Sequence, residues 1–204
     1  TEYLYRGKDE SDWETIYTRN RADFEEWSVR GFDPENPDDL LVLAHNGNDK
    51  LGLWSFDPKE KKFNELIYRR SDGDVIGLRS HSNRYTNSDD ITAVAYFNGR
   101  ELSYEWFDGE EKAIHDQLKS IIPYADRVTI SSRSRDGKSF VINNTGPRDP
   151  GTFYLLKDGA LNLVGSTKPG LMSKDLADVE AITYDARDGK KIRGFITIPN
   201  SKPP

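Results

Sequence analysis

One pattern recurs along this chain at nearly equal intervals. DDLLVLAHNGNDKLGLWSFD, Asp38–Asp57, joins two apolar runs (Leu40–Ala44 and Leu51–Phe56) through a polar turn containing Asn46, Gly47 and Asn48, and closes on Asp57. It returns as DDITAVAYFNGRELSYEWFD, Asp89–Asp108, and more loosely as KSFVINNTGPRDPGTFYLLKD, Lys138–Asp158. The closing aspartates, Asp57, Asp108 and Asp158, are 51 and 50 positions apart. A unit of two strands and a turn with this period indicates a repeat architecture, and the unit expected at about 50 residues is a blade of a β-propeller.

The register assigns the rest of the chain. Ser28–Phe32, Val75–His81 and Arg127–Ser134 are expected as the first, innermost strands. The second strands, LLVLA, ITAVAY and FVIN, are continuous apolar runs, which means burial on both faces. A propeller supplies that, because each blade lies between two others. The third strands carry Trp54, Phe56, Tyr104, Trp106, Phe153 and Tyr154, read as packing aromatics. Lys62–Tyr68 and Ala160–Val164 serve as fourth strands. Ahead of these, YLYRG and DWETIYT flank Gly7–Asp12 as a hairpin, followed by a strand around Phe24–Val29. That hairpin occupies the place of the last strands of an incomplete preceding blade.

Two segments break the repeat. GEEKAIHDQLKSIIP follows Asp108, with Ile114, Leu118, Ile121 and Ile122 on one stripe. Asp108 and Glu111 have capping-box spacing and Pro123 stops the run, so Glu110–Ser120 is expected as a helix inserted at the outer edge of its blade, its charged face solvated. STKPGLMSKDLAD, Ser166–Asp178, is a linker, after which VEAITYDARDGKKIRGFITIP reads as two alternating strands turning at Arg187-Asp188-Gly189. The expected fold is therefore all-β: about three four-stranded blades of a partial β-propeller plus part of a preceding one, an inserted helix and a C-terminal hairpin. The expected domains are 1–165 (propeller), 166–178 (linker) and 179–204 (the opening hairpin of another domain).

Composition narrows the function classes. The 9 Phe, 10 Tyr and 4 Trp argue for a packed core rather than disorder. A net charge of −6 gives no reason to approach nucleic acid or anionic lipid. There is no 18-residue apolar run, so no spanning helix is expected. Cysteine is absent, so neither a disulfide nor a cysteine zinc site is expected. The chain starts at Thr1 without a positive–apolar–small leader, as an excised or processed piece would.

The usual catalytic signatures are missing. There is no GxSxG, no phosphate-binding GxxxxGK[ST] or GxGxxG, and no metal-ligand spacing, so no catalytic residue, metal or cofactor is assigned. His45, His81 and His115 are read as turn or surface residues. HNG at His45–Gly47 suits an ordinary hairpin. Asp38-Asp39 and Asp89-Asp90 suit turns and edges rather than calcium. Glu110 and Glu111 are the one pair that could hold a substrate amine by combined negative charge.

SRSRDGKSFVINNTGPRDPGTFYLL, followed after the linker by LADVEAITYDARDGKKIRGFITIPNSKPP, resembles prolyl oligopeptidase-type serine peptidases, in particular their acylaminoacyl-peptidase and dipeptidyl-aminopeptidase relatives. That family ends its last blade in a DPGxYYL pattern and enters its α/β-hydrolase domain through a strand pair reading roughly xYxARDGxxIxGxLTxP. Tyr184–Pro199 is similar, with Thr197 and Pro199 in place. The resemblance implies a substrate-gating propeller whose Ser-Asp-His triad lies downstream, so the chain alone is expected to be inactive on peptides. It also implies a peptide substrate for the complete enzyme. Some relatives hold the substrate amine with a glutamate pair, but the surrounding motif is not matched at Glu110 and Glu111. An arc of blades is expected to self-associate through its open edges. The alternatives are a non-catalytic propeller that binds partners, for which the ARDG hairpin has no use, and a β-sandwich, which would make the 50-residue period a coincidence.

Overall fold

The computed structural model describes residues 1–20, 22, 24–85 and 90–199. Asp89 and the expected domain's last residues, 200–204, lie outside them. The first of two compact units runs from Thr1 to Ser80 and takes in the following strand as far as Phe97; the second holds the 81–85 segment and everything described from Asn98 onward.

In the first unit, β1 (Glu2–Tyr5) and β2 (Glu14–Thr18) form an antiparallel hairpin. Then β3 (Trp27–Phe32), β4 (Leu40–Ala44), β5 (Gly52–Asp57) and β6 (Lys62–Tyr68) make a four-stranded antiparallel sheet in chain order. The strand expected at Phe24–Val29 starts only at Trp27, since Phe24 has a left-handed φ of 52°. Every residue of β4 is buried. Leu40, Val42 and Ala44 join Ile16, Trp27 and Phe56, with Tyr3, Tyr5 and Tyr17 packed on them. Leu41 and Leu43 point the other way and join Leu53, Val75 and Val94. Both faces of this sheet are therefore covered, which explains why the strand lacks alternation. Tyr17 stacks on Trp27 at 4.5 Å, and the Tyr3 hydroxyl donates to the Trp27 carbonyl at 2.6 Å.

The middle repeat supplies three strands, β7 (Val75–Ser80), β8 (Ile91–Asn98) and β9 (Glu101–Trp106), and then α1 (Gly109–Ile121). The expected count of four-stranded blades is corrected here: two repeats have four-stranded sheets and this one has three strands and a helix. The divergence begins at one aspartate. Asp57 Oδ1 accepts from the N–H groups of Lys59 and Glu60 at 2.8 and 2.9 Å; Asp108 Oδ1 accepts from Glu110 and Glu111 at the same distances. After Asp57, Lys61 takes a φ of 54° and the chain turns back into β6. After Asp108, apolar residues at helical spacing propagate α1. The expected capping box is half made, because Glu111 turns its side chain elsewhere.

The second unit contains β10 (Arg127–Arg133), β11 (Ser139–Gly146), β12 (Asp149–Lys157) and β13 (Ala160–Ser166), again a four-stranded antiparallel sheet in chain order. Its hairpin register repeats that of the first sheet. Leu40 pairs with Phe56, Leu41 with Ser55, Val42 with Trp54 and Leu43 with Leu53. Each of these positions plus one hundred gives the pairs Phe140–Leu156, Val141–Leu155, Ile142–Tyr154 and Asn143–Phe153. The first strand of each sheet is also bulged, between Val29 and Gly31 and between Ile130 and Ser132. Leu118 of α1 and Ile122, the residue that caps its C-terminus, pack with Val128 and Ile142. β14 (Val179–Asp185) and β15 (Lys191–Thr197) form a separate, largely exposed hairpin, with Gly189 at a φ of 80° in its turn.

Candidate functional site

Helix α1 buries a stripe that includes polar residues. Glu111, His115 and Leu118 fall at helical spacing on one face, Ile122 follows them at the C-cap and all four are buried, whereas Ile121, assigned to the apolar stripe by sequence, is 40% exposed. The expectation of a solvated charged face therefore fails at Glu111. A buried carboxylate needs partners, and Glu111 has them. It accepts from the Ser82 N–H at 3.1 Å, from the Ser82 hydroxyl at 2.6 Å and from Arg133 Nη1 at 3.3 Å. His81 Nε2 lies 3.7 Å from the same carboxylate.

The cluster contains a serine, a histidine and an acid, yet its geometry is not that of a nucleophilic triad. In a triad the imidazole sits between hydroxyl and carboxylate and takes the hydroxyl proton. Here the Ser82 hydroxyl donates directly to Glu111 and accepts from Arg133 Nη1 at 3.0 Å. His81 Nδ1 is occupied as acceptor from the Asn83 N–H at 3.0 Å. No imidazole is placed to take the hydroxyl proton, and the carboxylate that accepts it is already shared with the Ser82 N–H and Arg133, so what the cluster does is hold backbone.

It holds two turns. Ser82 belongs to the His81–Tyr85 turn, which is wound by the His81 contact and by Asn83 Oδ1 accepting from the Tyr85 N–H at 3.1 Å. Arg133 ends β10 and reaches back to the Gly137 carbonyl at 3.4 Å across the Ser134–Gly137 turn. In that second turn Asp136 accepts from the Ser134 hydroxyl and the Lys138 N–H. The Ser134 hydrogen bond, with the Lys138 N–H behind it, holds the Asp136 carboxyl below its ordinary range. The two turns meet where the Arg135 guanidinium lies 5.3 Å above the Tyr85 ring, which is 61% exposed.

The proposed glutamate pair is divided by the structure: Glu110 is exposed and Glu111 is buried in the cluster just described. His115, expected at the surface, is buried against Tyr104 and Trp106, each ring 5.2 Å away. His45 accepts from the Glu26 N–H through Nδ1 at 3.1 Å, a turn role as expected. Asp39, in the bend just before β4, is buried and accepts from Ser55 of β5 and Asn64 of β6. Ser82 and Arg133 carried no local sequence signal. The signal for Glu111 and His115 was their spacing with Leu118 and Ile122, which continues the apolar face. Among the described residues no cluster of three or more His, Asp or Glu could hold a metal ion, and no helix is long and apolar enough to cross a membrane.

No family model matches the sequence, and no curated protein matches it. Solved structures do. A prolyl endopeptidase superposes with a TM-score of 0.57 at 13% identity, over 98% of this chain and 28% of its own. Prolyl oligopeptidase B from Galerina marginata gives 0.56 at 12% identity, over 93% and 26%. Oligopeptidase B from Leishmania major gives 0.55 at 13% identity, over 98% and 29%. The chain has the fold of a segment of the prolyl oligopeptidases. It spans between a quarter and a third of the length of these neighbours.

Proposed function

We propose that this chain is the propeller segment of a prolyl oligopeptidase-type serine peptidase, with the first hairpin of its hydrolase domain, and that it gates peptide substrates toward a triad supplied elsewhere in the protein. The observation that carries the proposal is the repeated hairpin register, one hundred positions apart, in a chain whose length superposes almost entirely on a segment of such enzymes. The covering of both faces of the β3–β6 sheet is what a blade within a propeller requires. The acylaminoacyl-peptidase and dipeptidyl-aminopeptidase relatives are the members whose sequence pattern the β14–β15 hairpin follows. That hairpin exposes Ile182, Tyr184, Ile192 and Ile196 on one face, as an element awaiting cover does.

Incubation of the chain with acyl-peptide and aminoacyl-nitroanilide substrates tests the reading. No turnover is expected, since the triad is read as lying elsewhere in the protein; hydrolysis that a serine-directed reagent abolishes would contradict it. The open blade edges should also drive self-association. Light scattering across a wide concentration range is expected to show a rising mass, and a constant monomer mass would count against the propeller arc.

A further inference from the structure

The Glu111–Arg133 pair has more structure around it than stability requires. Buried ion pairs contribute little net stability against apolar replacements, because desolvation offsets their attraction. Their attested use is to fix one arrangement among several, and this pair fixes two turns at once. Ser82 ties the His81–Tyr85 turn to Glu111, and Arg133 ties the Ser134–Gly137 turn to the same carboxylate. Gly137 completes the fit: a Cβ there would lie 3.1 Å from Arg133 Nη2, and its φ is +73°. The result is a set relation between Tyr85 and Arg135, neither of which touches the buried cluster.

Their chemistry points outward. Arg84, Tyr85 and Arg135 are exposed. Neither Arg84 nor Arg135 has a carboxylate or hydrogen-bond partner among the described residues, where Arg135 makes only its ring contact with Tyr85. The nearest acid in sequence, Asp136, is committed to Ser134 and Lys138. A guanidinium lying over an aromatic face has one of its dimensions fixed while its forked N–H groups stay open to a planar anion.

We infer that Tyr85 and Arg135, registered by the Glu111–Arg133 pair, form a recognition point for the carboxylate of a peptide segment, with Arg84 beside it. Peptide is chosen as the carrier on the strength of the peptidase reading; the carboxylate chemistry stands on the residues alone. The carboxylate comes from a chain terminus or from an acidic side chain. The molecule's net charge of −6 opposes anions at long range, but at physiological salt that field is screened beyond roughly 8 Å. Arg135 itself is a contact residue here, and Glu111 a positioning residue.

The test is titration of the isotope-labelled chain with three short acetylated peptides, read from amide shifts of Ser82–Tyr85 and Arg133–Gly137. One has a free C-terminus, one is amidated and contains a single Glu, and one is amidated and neutral. Binding of the first or second, with none of the third, supports the inference and identifies the source of the carboxylate. Arg135→Gln should weaken that binding about tenfold, the loss of one charge-assisted pair. Glu111→Gln should weaken it while leaving chemical shifts of the β3–β6 sheet in place. Equal binding of the neutral peptide, no binding of any, or full binding by Arg135→Gln would overturn it. Those results leave the turnover assay unaffected, so the two readings fail separately.

Discussion

Val42 lies opposite Trp54 across the β4–β5 hairpin, and one hundred positions later Ile142 lies opposite Tyr154 across β11–β12. A one-residue slip in either hairpin would turn its apolar side chains to the opposite face. Equal registers at two periods therefore place equivalent side chains in equivalent positions. Val42 and Ile142 are both completely buried. Truncating either to Ala should cost about 1–4 kcal/mol, from lost transfer energy and the cavity left behind. Leu163→Ala, at a side chain 70% exposed, should change stability by less than about 0.5 kcal/mol. Urea unfolding midpoints check all three.

The Glu111–Arg133 pair gives a prediction with an unusual sign. Their side chains are 1% and 11% exposed, so removing one leaves a buried charge unpaired. Glu111→Ala should cost about 3–5 kcal/mol, whereas the double variant Glu111→Met, Arg133→Leu should recover most of that loss. Denaturant melts of the single and double variants measure the difference. A double variant less stable than either single one would show that the hydrogen bonds to Ser82 outweigh the charges.

Gly151 is held in a conformation that side chains resist. Its φ is +119°, and an added Cβ would lie 2.5 Å from Thr167 Oγ1, which itself donates to the Pro150 carbonyl at 2.9 Å. Gly151→Ala should destabilise by about 1–3 kcal/mol through backbone strain plus displacement of Thr167. Thermal melting of the Gly151→Ala and Gly170→Ala variants separates this from a general glycine effect. The Gly170 site has open space and an ordinary φ, so its variant should melt close to the parent.

Asp57 and Asp136 both sit below the ordinary aspartate range, Asp57 chiefly through the Glu60 N–H and Asp136 chiefly through the Ser134 hydroxyl. A carboxyl depressed on folding stabilises the fold above its unfolded value, near 3.9, and that contribution is lost as pH falls through the lower folded value. Carbon-detected titration should give midpoints under about 3.9 for both residues. A midpoint at or above it would remove these hydrogen bonds from the account.

Much of this fold was legible in the sequence, and the reasons are local. LLVLA announced two-sided burial because a continuous apolar run leaves no polar position for a wet face. Lys62–Tyr68 and the ARDG turn were visible because strand pattern and turn chemistry agree there. The DPG signature was visible too, and Gly151 supplies its physical cause. The failures share a different cause. Glu111 and His115 looked like surface residues because a single sequence shows their polarity and not the partners brought by Ser82, Arg133, Tyr104 and Trp106. Trp27 replaced Phe24 as the start of β3 because its ring is trapped between Tyr3, Tyr17 and Phe56, a tertiary preference that no local pattern encodes.

The equivalence of the repeats is the claim on which the peptidase reading depends, and cross-strand NOEs test it most directly. Contacts are predicted across the first two strands of each repeat, between Val29 and Val42, between Leu78 and Val94, and between Ile130 and Ile142. Observation of all three sets in one folded species is the result expected. Contacts slipped by one residue in a single repeat, or strands β4 and β11 paired with each other, would contradict it.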